Sequence, residues 1–150
     1  MDKKRIFNRD VESMELYIGG IELVDDTFLD GAQIGFRVSE DGKEIEDWLG
    51  DAYYVIGYDS LLGDPIIVKV DEEEYPVYSM MHDGWEYVDK VANSYESFLT
   101  VMKFINELSE KDGFNKEEVL NEIKEIVGED ALDYWDTFLQ TELEYLEEEE

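Results

Sequence analysis

The spacing of apolar residues changes once along this chain, near residue 90, and that change divides it into a sheet half and a helical half. Before it, apolar residues come in short clusters set apart by turn residues, the pattern of strands in a mostly antiparallel sheet. The clusters predict strands at 21–24, 34–38, 53–58, 66–70, 77–81 and 85–88. Asp30-Gly31, Asp41-Gly42, Gly63-Asp64-Pro65 and Asp83-Gly84 supply the positive-φ or Pro-fixed positions that chain reversals need. Short turns make neighbouring strands antiparallel. Ile66-Ile67-Val68-Lys69-Val70 reads as a largely buried strand, and the acidic run Asp71, Glu72, Glu73, Glu74 is too charged to continue it. Pro76 then opens the next strand, where a missing N–H does least harm.

After residue 93 the period is helical. Asn93 with Glu96 three residues on reads as a helix start, and Tyr95, Phe98, Leu99, Met102, Ile105 and Leu108 fall on one face. A second helix starts at Asn115 with Glu118, carries Val119, Leu120, Ile123, Ile126 and Val127, and stops at Gly128. A third begins near Asp130 with a stripe of Leu132, Trp135, Phe138, Leu139, Leu143 and Leu146. Its last residues, 147–150, are all Glu and should fray, because acids at a helix C-terminus oppose the dipole and repel one another. The segment 11–18 fits a short helix or an edge strand equally well. The fold class that follows is α+β: an antiparallel sheet of about five to six strands, helices packed on it, and a helical C-terminal extension over 113–150.

A length of 150 residues suits a single domain, 1–150, and 43% apolar residues provide for a core. Charge restricts its partners more sharply. Asp plus Glu number 41 against 12 Lys plus Arg, a formal net charge of -29. Such a surface is repelled by phosphate backbones and anionic lipid, which excludes nucleic acid and membranes as direct partners. It attracts cations, and a basic protein above all, although the same surplus also keeps a protein soluble. The absence of Cys rules out disulfides and thiolate sites and fits a reducing compartment. The N-terminal residues lack a signal-peptide apolar region and no run approaches a membrane span, so a cytoplasmic location is expected.

The residue types needed for catalysis are scarce. His82 is the only histidine and sits at a predicted strand end, where a hydrogen-bonded turn residue is the simpler role. Carboxylates are numerous, but no spacing singles out an acid–base pair. Neither Asp25-Asp26-Thr27-Phe28-Leu29-Asp30-Gly31 nor Ser39-Glu40-Asp41-Gly42 matches a calcium loop, and Gly50, Gly57 and Gly63 are not spaced as a phosphate-binding fingerprint. The expectation is a protein with no enzymatic activity, no cofactor and no metal. Aromatic residues among acids have the composition of a protein-binding hot spot, with Trp85 and Tyr87 the best candidates to face a partner.

One ordered set of motifs is similar to a known family. Tyr54-Val55-Ile56-Gly57-Tyr58-Asp59 is followed by Gly63-Asp64-Pro65-Ile66-Ile67-Val68, then Pro76-Val77-Tyr78 and His82, then Val91-Ala92-Asn93-Ser94-Tyr95-Glu96-Ser97-Phe98-Leu99. In this order they resemble the SUKH superfamily, which includes the yeast Smi/Knr cell-wall assembly regulator and many bacterial immunity proteins of polymorphic toxin systems. The resemblance spans residues 54–99. It implies an α+β fold, no catalysis and function through protein contacts. It also gives the charge a purpose, because nuclease toxins are basic and an acidic inhibitor can occupy the surface that takes phosphates.

The combined expectation is an immunity protein that binds and neutralises a basic toxin domain, with a regulatory or scaffolding adaptor of the same superfamily as the alternative. The partner-binding residues expected are Asp59, Asp64, Asp71, Glu72, Glu73 and Glu74, with Trp85 and Tyr87 as aromatic anchors. Sequence alone assigns no oligomeric state.

Overall fold

The computed structural model describes residues 2–34, 39, 41, 43, 52–61, 63–80 and 88–148. Their fold is α+β. Six strands, β1 (Ser13–Glu15), β2 (Gly20–Leu23), β3 (Tyr53–Asp59), β4 (Pro65–Lys69), β5 (Val77–Met80) and β6 (Val88–Ala92), form one sheet in chain order, each antiparallel to its neighbour. The helices are α1 (Lys3–Phe7), α2 (Leu29–Ala32), α3 (Tyr95–Leu108), α4 (Lys116–Val127) and α5 (Leu132–Glu148), with a 3-10 turn at Glu129–Ala131 leading into α5. No helix among the described residues is long and apolar enough to cross a membrane.

Alternation along the strands explains the layers, because successive side chains point to opposite faces. Ile56, Ile66, Val68, Val77 and Val91 join the large core with Tyr95, Phe98, Met102 and Ile105 of α3, Val119 and Ile123 of α4, and Trp135 and Leu139 of α5. Val55, Ile67 and Met80 face the other way and cluster with Ala32 of α2. Ile66, Ile67 and Val68 are fully buried, so β4 is covered on both faces as its unbroken apolar run predicts. The helices over 116–148 share the core of the sheet.

Local chemistry sets most boundaries within a residue or two. Gly63 has φ 78° and Pro65 begins β4, as the Gly-Asp-Pro turn requires. Pro76 precedes β5 by one residue, and its carbonyl accepts from Lys69 N–H at 3.0 Å. The Asn115 side chain caps α4 by accepting from Glu118 N–H at 3.0 Å. Gly128 ends that helix with φ 99°, where a Cβ would stand 1.8 Å from the Asn93 side-chain amide. Only glycine fits there.

Several expectations are corrected. Segment 11–18, left open between a short helix and an edge strand, contains the edge strand β1 over Ser13–Glu15. Asp30-Gly31 lies within the single helical turn of α2 and makes no strand-to-strand reversal. The cap of α3 is Ser94, not Asn93: its hydroxyl accepts from Ser97 N–H at 3.0 Å, and Ser97 Oγ accepts from Ser94 N–H at 3.2 Å. Ser therefore replaces Glu96 as the reciprocal partner. Within α3, Val101 is fully buried and Leu99 only partly so. Of the expected strand 85–88 only Val88 is described, and the strand β6 that it opens continues to Ala92, with Val91 and Ala92 carrying its buried side chains. The backbone of α5 is helical through Glu148, and the last two of the four residues expected to fray lie outside the described residues. Of the predicted strand 34–38 only Ile34 is described, and Trp48, His82, Trp85 and Tyr87 lie outside the described residues.

Candidate functional site

One end of the sheet gathers the residues with the most unusual surroundings. Antiparallel pairing places Ile21 of β2 opposite Asp59 at the end of β3, Tyr58 opposite Pro65 at the start of β4, Ile66 opposite Ser79 on β5, and Ser79 opposite Asp89 on β6. Asp59, Ser79 and Asp89 share the helix-facing side, and the 59–64 turn adds Asp64. Helix α5 crosses this end and closes the space beneath it.

Helix α5 is held there by two buried contacts. Trp135 is fully buried, and its indole Nε1–H donates to the Val91 carbonyl at 2.9 Å, on the residue that a register slip sets outside the pairing of β5 and β6. One turn beyond Leu139, Glu142 is 1% exposed. Its carboxylate accepts from three consecutive backbone N–H groups of the β1–β2 loop: Tyr17 at 2.9 Å, Ile18 at 3.0 Å and Gly19 at 2.8 Å. Successive N–H groups turned to one point form an anion nest, and here the chain's own carboxylate fills it. A Cβ on Gly19 would lie 3.1 Å from that carboxylate, and one on Gly20 would lie 1.9 Å from the Met14 carbonyl. The paired glycines let the loop approach α5.

Between α5 and the sheet end lies a cleft of about 250 Å³. Tyr134 and Phe138 wall it on the helix side, each ring meeting Trp135 edge to face at 5.0 and 5.5 Å between centroids. Asp59, Asp64 and Asp89 wall it on the sheet side, the first two half-buried and the third exposed. The Tyr134 phenol is held well above its ordinary acidity range, first by burial and then by the negative charges of Asp59, Asp64 and Asp89. Its hydroxyl therefore stays protonated and sits within the field of all three carboxylates.

The structure brings Asp59 and Asp64 together at this cleft but separates them from Asp71, Glu72, Glu73 and Glu74. Those four occupy the turn at the far end of β4, roughly 20 Å away at the rise of an extended strand. Asp71 and Glu72 are met there by Lys69 Nζ at 3.6 and 3.0 Å. Arg5 lies over the Tyr75 ring at 4.0 Å and donates to the Glu73 carbonyl at 2.6 Å. The acidic run is thus a turn that carries its own cations. Trp85 and Tyr87, the expected anchors, fall outside the described residues.

Sequence reasoning missed Asp89, Tyr134 and Glu142. Glu142 had a readable signal, because it continues the 135, 139, 142, 146 stripe of α5 and an acid on an apolar stripe needs a buried partner. Asp89 and Tyr134 had none, since β6 was predicted to end at Val88 and Tyr134 follows no spacing that marks a site. Among the described residues, no group of three acidic or histidine side chains is placed to hold a metal ion. Comparison with family models, curated proteins and solved structures finds no match to this chain.

Proposed function

We propose that this chain is a cytoplasmic, non-catalytic immunity protein of the SUKH kind, which binds a basic toxin domain and blocks its active surface. The observation that most supports this reading is the convergence of Asp59, Asp64 and Asp89 on an aromatic-walled cleft, in a chain of net charge -29. Acids beside half-buried aromatic rings combine long-range attraction of a cationic surface with a patch that can be desolvated on contact. The first term speeds encounter and the second slows release.

Calorimetric titration with a basic toxin domain, taken from a toxin gene adjacent to this chain's own where one is found, tests the reading. Tight binding at low salt that weakens steeply as salt is added is the expected result. No complex at low salt would remove the proposal. An adaptor role is the alternative, and for it α4 and α5 offer only their outer faces, because Val119, Ile123, Trp135 and Leu139 are committed to the core.

A further inference from the structure

We draw no further inference here: the strongest candidate, the groove between β2 and α2 walled by Val24, Ala32 and the exposed Phe28 and rimmed by Glu12 and Glu22, carries nothing, because nothing among the described residues shows what covers it and acids at a rim single out no occupant in a chain of net charge -29.

Discussion

Glu142 shows how one side chain can tie together parts of a chain that lie far apart. Its carboxylate meets the N–H of Tyr17 across 125 residues of sequence and leaves almost no surface in water. Burying that charge is tolerable only because three N–H donors replace its hydration. Glu142→Gln puts an amide N–H₂ where only acceptors fit, so urea denaturation should show a loss of about 3 kcal/mol, the scale of hydrogen bonds to a charged group. A loss below about 1 kcal/mol would mean the loop relaxes and water takes over the donors. Asp25 is a milder case at the surface, accepting from Thr27 Oγ at 2.6 Å and from the N–H groups of Thr27 and Phe28 at 3.0 and 3.1 Å. The Thr27 hydroxyl bond, ahead of the backbone ones, lowers its pKa below the ordinary 3.8. A carboxyl with a depressed pKa in the folded state contributes stability that is present above 3.8 and is lost as pH falls through the folded value. A carbon-detected NMR titration should place the Asp25 midpoint below those of exposed carboxylates, and Thr27→Ala should bring it back up.

At the scale of elements, the exposed edge of β1 is the position most open to unwanted pairing, since a free strand edge is a template for another chain. Helix α3 covers it with one side chain. The Asn106 amide donates to the Ser13 carbonyl at 2.9 Å and accepts from Glu15 N–H at 3.1 Å, the two groups a seventh strand would use. Asn106→Ala should therefore cost about 1–2 kcal/mol by denaturation. It should also promote concentration-dependent association, visible by sedimentation velocity, which wild-type protein does not show at the same concentration. Stability loss without association would assign Asn106 to helix docking alone. The capping of α4 was legible because a cap depends on a side chain and an N–H three residues on, whereas that of α3 lies one residue later than expected. Asn93 instead meets the end of α4, where its N–H donates to the Val127 carbonyl and its side-chain amide lies against Gly128. Spacing cannot register that contact. For the same reason α2 was read as a turn, although Leu29 and Ala32 bury their side chains and make the turn helical.

For the molecule as a whole, 41 acids against 12 basic residues leave most negative charges without a neutralising neighbour, and their mutual repulsion opposes compaction. Raising NaCl from about 20 mM to about 500 mM shortens the screening length from roughly 20 Å to roughly 4 Å. The melting temperature should rise by about 5 °C across that range, a change of about 1–2 kcal/mol for a chain of this size. A flat or falling profile in a thermal melt would show that local pairs such as Lys69 with Glu72, at 3.0 Å, outweigh the general repulsion. By itself the order of residues determined the α+β class, five of the strand positions in part or whole, the three long helices and the surplus charge. Each of these depends on the period of apolar side chains, on turn residues within a few positions, or on simple sums. What only the tertiary structure decided was which acids meet: Asp59 and Asp64 with Asp89 and Tyr134 at one end of the sheet, the 71–74 run at the other, and Glu142 inside. Those meetings depend on strand register and on the placement of α5 across the sheet, and both arise from packing between segments whose separation along the chain leaves no periodic trace.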